Sequence, residues 1–560
     1  MQTAIAAGMI TAEPGANTDD SSSGHGTHTA ASVVGDGSDW STVPETPPGS
    51  GSVSENRWRG VQPEAALHHI SFANDYGDRE TFERLVEEGA HISTNSWGYC
   101  TLVGCNPVTS YDAAAAAWDE GVWDADDDVP GQQPLIVFFS AGNDGNGGFD
   151  GCGTAGANTI STPATAKNII TIGANETDRG CNVLEDNVGD VATFSSRGPV
   201  APDGTGQGLF KPEITATGTR VLSAESDGTG GRNADARNGP FSCSDSGTSY
   251  AYKDGTSMSC PHGAGIGGVL LQDLIVKRGV AAPSPALVKA LLINGARALQ
   301  PGGSCKYGFD TRASEIHQGW GQAQAPDSMY GRGGSPSERS VGFENEFAKR
   351  SVATGESRVA SLQVQAGGDL RVTLAWTDYP ASPIATSPLV VNDLDLEVSG
   401  PEGTFIGNNF SGDWSLDDTI SATADRYNVV ENVYIANVQG GTYQITVRGH
   451  QVSQDMEPEA AGVEQPYALV WSAPGPPPMC SDGIDNDGDN KIDWDGGAAA
   501  GLSATEQREP DRDCANKPWK NKEATTGCGL GFELALILAA FGGFRARRKS
   551  SPGALLTPAR

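Results

Sequence analysis

Three short stretches carry side chains whose types and spacing could do chemistry. In Gly255-Thr256-Ser257-Met258-Ser259-Cys260-Pro261-His262-Gly263, a hydroxyl stands at the mouth of an apolar helix expected over residues 264–274. A serine attacks at neutral pH only when a base takes its proton, so Ser257 as a nucleophile requires a partner. Glycines on both sides let backbone and substrate come close. The alternative is a helix cap, a common post for Ser and Thr. A base is available in Gly24-His25-Gly26-Thr27-His28-Thr29-Ala30-Ala31-Ser32, where His25 lies between glycines at the start of a small-residue helix. A capping or core histidine, or a metal pair of His25 with His28, are the other readings. Metal pairs usually use i, i+4 spacing plus a carboxylate, which is absent from this run. The third stretch is Ser140-Ala141-Gly142-Asn143. An amide donor at Asn143 suits a reaction that creates an oxyanion, although Asn-Asp-Gly is equally a turn sequence.

These side chains lie far apart in the chain, so a regular scaffold has to gather them. Residues 65–70 read as a strand, 81–89 as a helix and 90–96 as the next strand. A helix through 113–118, an apolar strand at 135–139 and another at 169–173 follow. Strands alternating with helices imply a parallel sheet covered on both faces, an α/β fold. Sites in such folds collect at the C-terminal ends of strands. Two such ends carry Ser96-Trp97-Gly98 and Ser140-Ala141-Gly142-Asn143.

The order of the three stretches on an α/β pattern resembles the subtilisin-like serine proteases (subtilases). Asn95-Ser96-Trp97-Gly98, Phe194-Ser195-Ser196-Arg197-Gly198-Pro199 and Lys211-Pro212-Glu213-Ile214 are similar to phrases of that family as well. The resemblance implies His25 as general base, Ser257 as nucleophile, and Asn143 with the Ser257 N–H as oxyanion hole. It further implies that Ser96, Trp97 and Gly98 pair with the substrate backbone, and that Ser140, Ala141 and Gly142 wall the pocket before the cut. Trp97 and Phe139 then suggest an apolar or aromatic preference.

His317-Gln318-Gly319-Trp320-Gly321 is similar to the closing segment of that catalytic domain, placed at 1–328, with a Gly/Ser-rich linker at 329–345. From 346 to 473 the apolar period becomes two, as in Leu370-Arg371-Val372-Thr373-Leu374, which predicts an antiparallel β-sandwich or jelly roll. Its wording resembles the β-domain of large alkaline subtilases. Residues 474–526 open with a proline linker and then run Asp485-Asn486-Asp487-Gly488-Asp489-Asn490-Lys491-Ile492-Asp493. Alternate carboxylates at Asp485, Asp487, Asp489 and Asp493 suit structural calcium, a solvated acidic linker being the other reading. Residues 527–550, Gly-Cys-Gly followed by an apolar run and Arg545-Ala546-Arg547-Arg548-Lys549, resemble a bacterial sorting tail that contacts the membrane, and 551–560 end the chain.

A formal net charge of −33 over 560 residues argues against a nucleic-acid partner. Cys100 with Cys105, and the loop cysteines Cys152, Cys181, Cys480 and Cys514, lack Cys-x-x-Cys spacing and read as disulfide candidates of an exported, monomeric protein acting on proteins or peptides. No signal peptide is visible at Met1. The family's third catalytic residue, an aspartate in an early strand, has no match in the 24 residues before His25. The expectation is a late start at Met1, the aspartate lying upstream, and little activity from residues 1–560 alone. A non-catalytic surface protein on the same scaffold is the competing reading. An esterase is disfavoured because His precedes Ser here.

Overall fold

The computed structural model describes residues 10–12, 24–39, 58–71, 77–101, 106–145, 157–177, 188–226, 249–299, 316–332, 339–348, 350–417, 424–456 and 462–475. The first half holds β1 (Ile10–Ala12), α1 (His25–Val34), β2 (Leu67–His69), α2 (Asp78–Glu87), β3 (Ile92–Asn95) and α3 (Ala113–Trp123). It continues with β4 (Ile136–Ser140), β5 (Ile170–Asn175), β6 (Ile214–Thr217), β7 (Val221–Ala224), β8 (Tyr250–Lys253), α4 (Thr256–Gln272), α5 (Pro285–Asn294) and α6 (Ala325–Tyr330).

β4 explains the layering. Its five residues, Ile-Val-Phe-Phe-Ser, are all buried, as a strand covered on both faces must be. Successive side chains point to opposite faces. Ile136 and Phe138 join the core containing Leu270 of α4 and Leu287 of α5. Val137 and Phe139 join the core of Phe82, Leu85 and Trp118 from α2 and α3. The strands β3-β4-β5-β6 form one parallel sheet in that order. β1 and β2 do not extend it; they make their own two-stranded parallel ladder, with Ile10 opposite Leu67. A glycine brings α4 close to the sheet: a Cβ on Gly267 would stand 2.5 Å from the Phe138 ring.

The strands of the second half pair antiparallel. One sheet runs β11 (Ser357–Val364), β18 (Gly441–Gln451), β13 (Asp393–Gly400), β14 (Gly403–Ile406). The other runs β17 (Val430–Ile435), β12 (Leu370–Ala375), β20 (Ala468–Pro474), β9 (Arg339–Glu344). Between these lie the short strands β10 (Ser351–Val352), β15 (Phe410–Ser411), β16 (Trp414–Ser415) and β19 (Gln465–Pro466). Leu394, Leu396 and Val398 alternate inward along β13, the period that the sequence predicts. One boundary is corrected. Residues 339–344, expected as linker, are β9, paired along its length with β20. Glycines and serines around this run mask a strand whose own alternation is only six residues long.

The two halves share a core and buried polar contacts. All ten residues of α5 are buried, because it packs on the sheet of the first half and on β12 and β20 of the second. Lys167, wholly buried, lies 3.4 Å from Asp119 of α3 and 3.2 Å from Asp378 of the second half. Asn168 Nδ2 donates to Asp378 O (2.8 Å), and Asp378 N–H returns a bond to Asn168 Oδ1 (2.9 Å). Residues 476–560, with Asp485, Asp487, Asp489, Asp493, Cys480, Cys514 and the tail, lie outside the described residues. Among the described residues no helix is long and apolar enough to cross a membrane.

Candidate active site

Ser257 is the second residue of α4, which starts at Thr256 rather than beyond the motif. Gly255 precedes it at φ 150°, a conformation that side chains resist. The Ser257 N–H therefore belongs to the first helical turn, where backbone donors have no intrahelical acceptor and negative charge is favoured. The side chain is half-buried. Its Oγ lies 3.5 Å from Ser96 O, and Ser96 Oγ donates to Ser257 O at 2.9 Å. The end of β3 is thereby fastened to the nucleophile segment.

Asn143 is exposed beyond the end of β4. Its Oδ1 accepts from both the backbone N–H (2.9 Å) and the hydroxyl (3.1 Å) of Thr256. The Thr256 hydroxyl in turn accepts from Gly142 N–H at 3.1 Å. With the carbonyl side of the amide held twice, the Nδ2 donors face away from Thr256. Ser196 pins the same loop: its N–H donates to Gly142 O (2.9 Å) and its Oγ accepts from Asp144 N–H (3.0 Å). The Phe194–Pro199 phrase thus holds the Asn143 turn, and its neighbour Ser195 Oγ accepts from Ala174 N–H of β5 at 3.0 Å.

His25 opens α1 and is half-buried. α1 packs against α4 and β7. His28, one turn on, is fully buried with Nε2 3.1 Å from both Val221 O and Ala251 O. Two carbonyl acceptors place the proton on Nε2. Burial, with Lys253 nearby, pushes its pKa down to about 3, so the ring is neutral. Among the described residues neither His25 nor His28 belongs to a group of three or more side chains close enough to hold a metal ion. Cys260 is excluded as a rival nucleophile: burial pushes the thiol up to about 11.

Trp97 is half-buried and stacks edge-on with Phe139 (5.0 Å), Trp118 (5.9 Å) and exposed Tyr99 (5.4 Å). Phe139 is wholly buried and braces Trp97 from behind rather than lining a surface. Ser140 and Ala141 are buried, whereas Gly98 is exposed beside Ser161, whose Oγ would stand 2.5 Å from a Cβ on Gly98 and 3.2 Å from one on Gly142. The two rims therefore approach across Ser161, a residue that sequence reasoning passed over. Thr256 was passed over too; its adjacency to Ser257 was visible, but its partners are more than a hundred positions away. Cys100 is disulfide-bonded; Cys105, Cys152 and Cys181 lie outside the described residues. Lys211 and Glu213 of the Lys-Pro-Glu-Ile phrase form a buried pair at 2.6 Å, and Glu213 Oε2 accepts from Thr171 N–H, a structural post. Among the described residues one acidic group is tight enough for a cation, Glu83 with Asp127 and Asp128, and Arg79 already pairs with two of the three.

The parallel sheet of the first half carries a histidine helix, an asparagine turn and a serine helix N-terminus, the elements that a serine-hydrolase site would need. The model of the subtilase family matches residues 8–333, and the chain belongs to that family. A serine protease/ABC transporter B family protein, tagD of Dictyostelium discoideum, is 24% identical over 73% of this chain and 26% of its own length. Serine protease AprX of Bacillus subtilis is 28% identical over 49% of this chain and 52% of its own. The chain thus spans about a quarter and about half of these two relatives. The solved structure of the patellamide maturation protease PatA is 20% identical, covering 57% of this chain and 87% of that one, with a TM-score of 0.35.

Proposed function

We propose that the chain is a serine endopeptidase that cleaves proteins through an acyl-enzyme on Ser257. The observation that carries this reading is the double hold of Thr256 on Asn143 Oδ1, one residue before Ser257. It prepares an amide donor and a helix-terminal N–H for one oxyanion before substrate arrives. His25 takes the Ser257 proton as Oγ attacks the substrate carbonyl. The tetrahedral oxyanion accepts from Asn143 Nδ2 and Ser257 N–H. On collapse His25 returns the proton to the leaving amine, and water then releases the acyl group by the same steps. The substrate backbone lies as a strand beside Ser96-Trp97-Gly98, its side chain between this rim and Ser140-Ala141-Gly142. The bonded state of Cys100 supports an exported protein. Structural calcium at Asp485, Asp487, Asp489 and Asp493, and a membrane-sorting role for residues 527–550, complete the proposal from sequence. In the test, the purified chain is given an unfolded protein substrate. With no aspartate assigned to orient His25, cleavage is expected to be slow; slow endoproteolysis that disappears in Ser257→Ala supports the reading, and cleavage that survives in Ser257→Ala, or none at all, refutes it.

A further inference from the structure

Two moving parts must keep register for His25 to serve Ser257: the helix that carries the base and the strand that leads to the nucleophile. His28 joins them. Its Nε2–H points at Val221 O and Ala251 O, each 3.1 Å away, on the two strands of the antiparallel β7–β8 pair. The strand pair answers: Ser223 Oγ donates to His28 O at 2.9 Å. β8 ends at Lys253, and the chain runs directly through Asp254, Gly255 and Thr256 into Ser257. Asp254 is itself fastened, its Oδ1 accepting from Arg220 N–H at 2.6 Å, and Gly255 N–H donates to Gly218 O at 2.8 Å. The slack between Ala251 and Ser257 is therefore small.

We infer that His28 is a positioning residue, a clamp that sets the placement of His25 relative to Ser257 by bolting α1 to the strand pair that leads to the nucleophile. The inference rests on the peptidase reading for its purpose, but not for its geometry. A neutral ring is part of the design. Among the described residues, the charges of Lys253 and His25 both oppose protonation of His28. A charged His28 would set a cation one helical turn from His25 and weaken that base. Arginine or lysine could not replace it, and an apolar ring of equal size would fill the space without the bolt.

The test uses the full chain with His28→Phe and Ser223→Ala. Two readouts apply: the His25 imidazole titration by ¹⁵N NMR, and the rate at which a fluorophosphonate labels Ser257 across pH. In His28→Phe the His25 titration should shift and labelling should slow at least ten-fold. Ser223→Ala, which removes only the return bond, should slow labelling about three-fold and shift the His25 titration in the same sense. It also decides the matter if His28→Phe does not fold. An unchanged His25 titration and unchanged labelling in folded His28→Phe, or in Ser223→Ala should that alone fold, overturn the clamp. If the unsubstituted chain takes no label, the peptidase reading fails, and the NMR titration still decides the clamp.

Discussion

At Asn143 the decisive contact is the one that turns its amide. Because Thr256 holds Oδ1 with two donors, the proposed reaction finds the Nδ2 side already presented when charge develops, which is when an oxyanion donor matters. Asn143→Leu should therefore lower kcat about 10²–10³-fold at nearly constant KM, the loss known for the equivalent donor of a subtilase; steady-state kinetics on a peptide reads it. His28 gives a pH prediction. Its ordinary value is 6.5 and its folded value about 3, so between these the unfolded chain binds the extra proton. Stability contributed by neutral His28 is whole above about pH 6.5. It falls as pH drops through the window, by about 1.4 kcal/mol per unit. Acid unfolding followed by circular dichroism should be shallower in His28→Gln. Ser257, His25 and Asn143 stood out in the sequence as candidates because each sits in a local phrase with its own turn chemistry. Thr256 could not, since a threonine before a serine looks the same whether its hydroxyl caps a helix or holds an amide on another strand.

At the scale of elements, the site depends on α3. Trp118, wholly buried on that helix, touches Phe82 (4.5 Å), Phe139 (4.7 Å) and Trp97 (5.9 Å), and its Nε1–H donates to Asp78 at 2.9 Å. It is the floor under Trp97. Trp118→Ala should cost about 3–5 kcal/mol of stability by removing this volume, and should raise KM more than it lowers kcat, because Trp97 loses support while Ser257 and Asn143 do not. Urea unfolding and kinetics measure the two parts. The helices and apolar strands were legible, their periods being 3.6 and 2 over enough residues. The separate β1–β2 ladder was not, since strand–helix alternation does not say which strands share a sheet. β9 was missed for a different reason: a six-residue edge strand is fixed by its partner β20, 125 to 135 positions on, rather than by its own composition.

For the molecule as a whole, the second half is built into the first. Lys167 reaches across to Asp378 and to Tyr379 O at 2.7 Å. Asp378 also accepts from Val391 N–H (2.9 Å) and Asn392 N–H (2.8 Å). Removing its carboxylate leaves a buried ammonium with one acidic partner and two backbone donors without an acceptor. Asp378→Ala should cost about 3–5 kcal/mol, the range for breaking a buried pair from one side, with a single urea transition for both halves. Two separate transitions would show that the halves fold independently.

The central claim is that Ser257 is an activated nucleophile, and intact-mass spectrometry of the full chain after a fluorophosphonate tests it most directly. One adduct, mapped to Ser257 and lost in Ser257→Ala and His25→Ala, is the predicted result. An unlabelled chain, or an adduct that persists in Ser257→Ala, would contradict it.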